Sequence, residues 1–105
     1  MRFRGKSVII TGGAGGIGKA VVRLFAREGG LVMVSDVVEE GCQELVAELE
    51  EQDYQSAYYC GDLAEKIYCE NLINHTVKKF GTIDILINNA GVIPRGDILQ
   101  TTDEM

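Results

Sequence analysis

The 105-residue chain is predicted to be an α/β protein, a doubly wound parallel sheet with helices on both faces. Three observations predict this. Short apolar runs alternate with longer stretches of helical periodicity along the whole chain. The runs are continuously apolar rather than apolar and polar in turn, which is the mark of strands buried on both faces of a parallel sheet. The first run also passes directly into Thr11-Gly12-Gly13-Ala14-Gly15-Gly16-Ile17-Gly18, a glycine-rich turn that opens the first helical pattern.

Val8 to Ile10 form the first strand. Ile17, Ala20, Val21, Leu24 and Phe25 then recur at i, i+3, i+4, i+7 and i+8, one face of a helix that Gly29-Gly30 stops. Leu31 to Val34 make the second strand, which leads to Asp36. Cys42, Leu45, Val46 and Leu49 define the buried face of a second helix whose glutamates (Glu39, Glu40, Glu44, Glu48, Glu50) face water. Ala57 to Cys60 give a short third strand. Cys69, Leu72, Ile73, Thr76, Val77 and Phe80 line a third helix closed by Gly81, and Ile83 to Ile87 are the fourth strand. Beyond it, Thr101-Thr102-Asp103-Glu104 has the chemistry of a helix start. The connections should be right-handed crossovers. No linker, repeat or low-complexity segment interrupts the alternation, so residues 1–105 read as one half of a Rossmann-type fold.

Composition narrows the function classes. A hydrophobic share of 46% and a charged share of 25% belong to a soluble globular domain. The net charge of −6 argues against nucleic acid or an anionic membrane as partner. No apolar run approaches the roughly 20 residues that span a bilayer, and the basic start Met1-Arg2-Phe3-Arg4 lacks the apolar length of a signal peptide. Cys42, Cys60 and Cys69 are odd in number and lack Cys-x-x-Cys spacing. Free thiols in a reducing, cytoplasmic compartment are expected, with no metal site.

The chemistry starts at the glycines. A strand that turns into a helix aims unpaired N–H groups, at the positive end of the helix dipole, at whatever lies above it; a pyrophosphate suits that place. Any Cβ there would hold the phosphate off or push the helix from the strand. The five glycines of the run satisfy several spacings at once, so the loop alone leaves the nucleotide fold open. The Gly-Lys-Ser/Thr ending of a P-loop is absent. Asp36, 18 residues after Gly18, is placed to accept hydrogen bonds from both hydroxyls of an adenosine ribose. It would repel a 2′-phosphate by roughly 1 kcal/mol in water and about 4 kcal/mol at an effective dielectric of 20, a preference for NAD over NADP of several-fold to about a thousandfold. Neither Gly15 nor Val37 offers a cation to offset this.

Thr11-Gly12-x-x-x-Gly16-x-Gly18, Asp36, Asp62-Leu63 and Asn88-Asn89-Ala90-Gly91, with the lead-in Gly81 to Ile87, together resemble the short-chain dehydrogenase/reductase family in its single-domain branch. The glycine loop is also similar to that of the longer, sugar-nucleotide-modifying branch, but Gly16 stands where that branch commonly has an aromatic residue. The resemblance implies strand order 3-2-1-4 and an NAD(H) cofactor. Gly12, Gly13, Ala14, Gly15, Gly16, Ile17 and Gly18 would cradle the pyrophosphate. Asp62 would accept from the adenine amino group, with the Leu63 backbone beside the ring. Asn89, Ala90 and Gly91 would line the cofactor, while Asn88 ties strand ends together. A hydride would pass between nicotinamide and a small alcohol or carbonyl substrate, in a protein that is a homo-oligomer.

The family's Tyr-x-x-x-Lys pair is not among these residues. Tyr54, Tyr58, Tyr59 and Tyr68 are followed four positions on by Tyr58, Asp62, Leu63 and Leu72. No catalytic residue is therefore assigned, and the chain by itself is expected to bind without turnover. The alternative reading is a non-catalytic nucleotide-binding or assembly module. Ala64 stands where a Ser or Thr would cap the third helix better. His75, beside Lys78 and Lys79, reads as a solvated side chain, and Cys42 and Cys69 as small core hydrophobes.

Overall fold

The computed structural model describes residues 2–89. Four strands, β1 (Ser7–Thr11), β2 (Leu31–Ser35), β3 (Ser56–Tyr58) and β4 (Ile85–Asn88), alternate with helices α1 (Gly16–Arg27), α2 (Glu39–Glu51) and α3 (Lys66–Phe80). All the strand pairs are parallel, in the order β3-β2-β1-β4. Both the fold class and the strand order are those predicted.

Side-chain alternation on the two central strands builds two cores. Val8, Ile10, Val32 and Val34 point to the face covered by α1 and α2, where they meet Val22, Phe25, Ala26, Cys42, Leu45, Val46 and Leu49. Ile9 and Met33 point the other way and pack against Tyr68, Leu72 and Ile73 of α3. Continuous apolar strands are thus explained by a helix layer on each side. The faces of α2 and α3 are the predicted ones. In α2 Glu39 and Glu40 complement the dipole in the first turn, and α3 ends at Gly81, whose N–H returns to the Val77 carbonyl at 2.7 Å.

Helix α1 differs from expectation. Its buried residues are Gly18, Val22, Phe25 and Ala26, whereas Ile17 is 77% exposed, Leu24 45% exposed, and Ala20 also faces out. The segment carries apolar residues nearly all round, so two stripes compete. Packing of Gly18 against the glycine loop decides between them, because a Cβ at position 18 would lie 2.0 Å from the Gly12 carbonyl oxygen. Smaller differences affect the ends of strands. β3 stops at Tyr58, and β4 begins at Ile85 because Asp84 leaves the ladder to brace β1: its Oδ2 accepts the Ser7 N–H at 2.9 Å and its own N–H donates to the Ser7 carbonyl at 2.9 Å.

Strand β4 pairs only with β1 among the described residues, and Ile85, Leu86 and Ile87 are half-buried on both faces. Such an edge offers unpaired backbone groups flanked by apolar side chains. The 105-residue chain is therefore expected to self-associate at micromolar concentration, and a monodisperse monomer in light scattering would count against an open β4 edge.

Burial also sets a pH dependence. The Tyr68 hydroxyl donates to the Tyr59 carbonyl and takes a hydrogen bond from the Ser35 hydroxyl at 2.6 Å. Desolvation pushes its pKa up to about 12 from the usual 10.0. The folded state thus holds a proton that the unfolded chain releases first, and stability falls as pH rises from about 10 through about 12. Thermal midpoints measured across that window should decline, and Tyr68→Phe should flatten the decline.

Candidate functional site

In this sheet the chain runs outward from β1 through β2 to β3, then returns to the far side of β1 as β4. The strand order reverses direction where β1 and β4 adjoin, which is the place where open α/β sheets bind ligands. The glycine loop follows β1, Asp36 follows β2, Asp62 follows β3 and Asn89 follows β4. Residues 77 positions apart thereby share one rim: the Thr11 hydroxyl donates to the Asn88 Oδ1 at 3.0 Å. The Asn89 N–H donates to the Thr11 carbonyl at 3.1 Å and lies 3.2 Å from its hydroxyl. Asn88 thus ties strand ends together as expected.

The loop is held from three sides. The Gly13 N–H donates to the Ser35 carbonyl at 3.2 Å, and the Gly15 N–H to the Gly12 carbonyl at 3.3 Å. The Ala14 N–H donates to Asp36 Oδ2 at 3.0 Å, while Asp36 Oδ1 accepts the Val38 N–H at 3.0 Å. Each oxygen keeps a further lone pair for an outside donor. Position 13 is tight, since a Cβ there would meet Val34 at 2.7 Å. Positions 15 and 16 are different: both are exposed, and a Cβ on Gly16 would meet nothing within 4 Å.

The first turn of α1 has no side-chain cap, and unlike that of α2 it carries no acidic residue. Its leading N–H groups therefore carry the positive end of the dipole without a compensating carboxylate. The cradle above them is smooth because Gly15 and Gly16 carry no side chain, so an anionic group can come close to the backbone. These features fit a pyrophosphate.

Asp62 is exposed, and its Oδ1 accepts the Ala64 N–H at 2.9 Å. The N-cap of α3 is Glu65 rather than Ala64, and its side chain makes no capping hydrogen bond. Leu63 is half-buried against the α3 core, and its carbonyl accepts the Cys69 thiol at 3.2 Å. Ala90 and Gly91, like the helix-start tetrad at 101–104, lie outside the described residues. His75 is exposed, as expected, and tilts over Tyr59 with ring centroids 4.8 Å apart.

Sequence reasoning missed what braces the rim. Tyr68 joins Ser35 of β2 to the Tyr59 carbonyl beyond β3, so the loop bearing Asp62 is fixed against the strand bearing Asp36. Gly61 could have signalled this, since a Cβ there would lie 2.3 Å from the Tyr68 ring.

A parallel sheet whose strand ends collect a glycine loop and an acid after β2 has the arrangement of the dinucleotide-binding class of α/β folds. The family described as short chain dehydrogenase matches residues 6–105, and the chain belongs to it. An uncharacterized oxidoreductase of Thermotoga maritima is 40% identical over 104 residues, which are 99% of this chain and 41% of that protein. Meso-2,3-butanediol dehydrogenase of Serratia marcescens is 35% identical, across 97% of this chain and 40% of that one. Among solved structures, a hydroxysteroid dehydrogenase from Escherichia coli superposes with a TM-score of 0.83 at 35% identity, covering 87% of this chain and 39% of its own. The actinorhodin polyketide ketoreductase, solved with NADPH, gives a TM-score of 0.78 at 31% identity, covering 83% and 33%. The chain thus spans about two fifths of the length of the relatives it matches.

Proposed function

We propose that residues 1–105 are the NAD(H)-binding half of a cytoplasmic, homo-oligomeric oxidoreductase acting on a small alcohol or carbonyl substrate. The observation that carries the reading is the Asp36 carboxylate, anchored by the Ala14 N–H at 3.0 Å beside the glycine loop. In this reading Gly12, Gly13, Ala14, Gly15, Gly16, Ile17 and Gly18 hold the pyrophosphate through backbone N–H groups. Asp36 takes both ribose hydroxyls on the lone pairs it has left. Asp62 accepts from the adenine amino group through its Oδ2, beside Leu63. Asn89, Ala90 and Gly91 line the nicotinamide half. The nicotinamide, when bound, supplies a hydride acceptor or donor, and the chain's own residues position it.

Discrimination against NADP(H) rests on charge. A 2′-phosphate would replace a hydroxyl that Asp36 accepts with an anion that it repels. Calorimetry with the four nucleotides tests this. NAD(H) should bind more tightly, and equal or tighter binding of NADP(H) would remove Asp36 from the reading.

A second reading is favoured by the two-fifths coverage of the relatives and by the absence of Tyr-x-x-x-Lys among these 105 residues: by itself the chain is a non-catalytic nucleotide-binding module. The purified 105-residue chain should bind NAD(H) yet turn over no alcohol or ketone panel. Saturable absorbance change at 340 nm that copurifies with the chain would show that it carries its own catalytic groups.

A further inference from the structure

We infer that Tyr68 is a positioning residue for adenine recognition: its hydroxyl closes the loop that carries Asp62 and holds that carboxylate where the adenine amino group arrives. The inference rests on the nucleotide reading above and adds to it a buried residue that acts through Asp62.

The loop runs from the end of β3 to the start of α3. Tyr68, buried in the first turn of α3, reaches back nine positions and donates its hydroxyl proton to the Tyr59 carbonyl. Residues 59 to 68 thus make a ring closed by one side chain, with Asp62 exposed upon it. The ring is pinned to β2. A carbonyl can only accept, so the Tyr68 proton is spent on Tyr59, and the fully buried Ser35 hydroxyl is the donor in its 2.6 Å bond to the Tyr68 oxygen. Backbone bonds join the same place: Tyr59 N–H to the Val34 carbonyl at 3.0 Å, and Gly61 N–H to the Asp36 carbonyl at 3.1 Å. The Ser35 carbonyl also accepts the Gly13 N–H at 3.2 Å. Glycine loop, Asp36 and the Asp62 loop therefore share one anchor.

Ring and hydroxyl have separate effects. The ring fills the space over Gly61, where a Cβ would lie 2.3 Å from Tyr68 Cδ1, and stacks on Tyr59 with centroids 5.6 Å apart. Phenylalanine can make both contacts, so the loop stays packed without the hydroxyl. The hydroxyl instead fixes the peptide that follows Tyr59, because it donates to that carbonyl. Once this donor is lost, a part-buried carbonyl is relieved by turning the peptide toward water. Asp62 lies three positions further on. Its Oδ1 is spent on the Ala64 N–H at 2.9 Å, which leaves Oδ2 for the ligand. An exposed carboxylate contributes to affinity only when it is held in place beforehand, and a turned loop aims Oδ2 elsewhere.

The test compares two nucleotides by calorimetry on the 105-residue chain: NAD, and nicotinamide hypoxanthine dinucleotide, which has a carbonyl oxygen in place of the adenine amino group. The native chain should prefer NAD by about tenfold. In Tyr68→Phe the preference should fall to about twofold or less, through loss of NAD affinity, whereas general loosening of the fold would weaken both nucleotides and keep the ratio. Asp62→Ala should lower the ratio as far, and adding Tyr68→Phe to it should change NAD affinity by less than about twofold, because the tyrosine acts through that carboxylate. A folded Tyr68→Phe chain with the native ratio overturns the proposal and leaves the adenine reading standing. So does a double variant in which the two losses of NAD affinity multiply. If Tyr68→Phe does not melt cooperatively, Ser35→Ala, which releases the other end of the brace, takes its place, and a native ratio there overturns the proposal. A native chain that binds both nucleotides equally, or neither, removes Asp62 from the reading and the role of Tyr68 with it.

Discussion

Gly18→Ala should abolish nucleotide binding, with a loss on the order of a hundredfold or more, and should cost about 3 kcal/mol of stability. The added Cβ would sit 2.0 Å from the Gly12 carbonyl oxygen and 2.8 Å from both the Gly12 carbonyl carbon and the Gly13 Cα. These are backbone atoms, and the Gly12 carbonyl is engaged by the Gly15 N–H, so neither side can yield by changing a rotamer. The helix start must shift by about an ångström, which carries its N–H donors off target. Gly16→Ala is the informative control. Its Cβ would meet nothing within 4 Å, so thermal stability should hold or rise slightly, while affinity for NADH still falls. Melting curves and calorimetry on the two variants separate the roles. Unchanged affinity in Gly16→Ala would place the pyrophosphate somewhere other than above this loop.

Asp36→Ala should weaken NAD(H) by about tenfold to a hundredfold, because a charged acceptor of ribose hydroxyls is worth about 1.5–3 kcal/mol. It should weaken NADP(H) far less, because the same change removes a repulsive charge. The ratio of the two affinities should therefore shrink toward one. A loop effect adds to both, since the Ala14 and Val38 N–H groups lose their acceptor, each at 3.0 Å in the native chain. Asp36→Asn separates the contributions: its amide oxygen can still accept one N–H, so it should retain more stability than alanine while losing the charge. Affinities for both nucleotides, measured at one salt concentration, decide the matter. An NAD/NADP ratio unaltered in both variants would show that specificity is set elsewhere.

Much of this molecule is legible in one dimension. Residues spaced along α2 and α3 declare their buried faces, because on each helix the apolar positions form a single stripe with charged residues opposite. Continuous apolar runs declare parallel strands, because only a sheet covered on both faces tolerates them. Thr11 to Gly18, Asp36 and the Asn88-Asn89 pair can be placed at the strand ends because each directly follows or closes an apolar run. The family follows from the same residues.

Other features became visible only in three dimensions. The register of α1 could not be read from periodicity, because Ile17, Ala20, Val21, Val22, Leu24, Phe25 and Ala26 offer two stripes. Contact between Gly18 and Gly12 chose the one that leaves Ile17 and Leu24 outside. The second use of Asp36, as an acceptor for the loop it faces, depends on a pairing 22 residues apart. The Ser35–Tyr68–Tyr59 brace likewise arises from strand order, which brings the end of β3 beside the end of β2. For the strands, α2 and α3, sequence by itself determined which residues must be buried, since that is a property of neighbours along the chain. Tertiary structure decided which distant polar groups meet, because that depends on the order in which strands pair, and no local pattern encodes it.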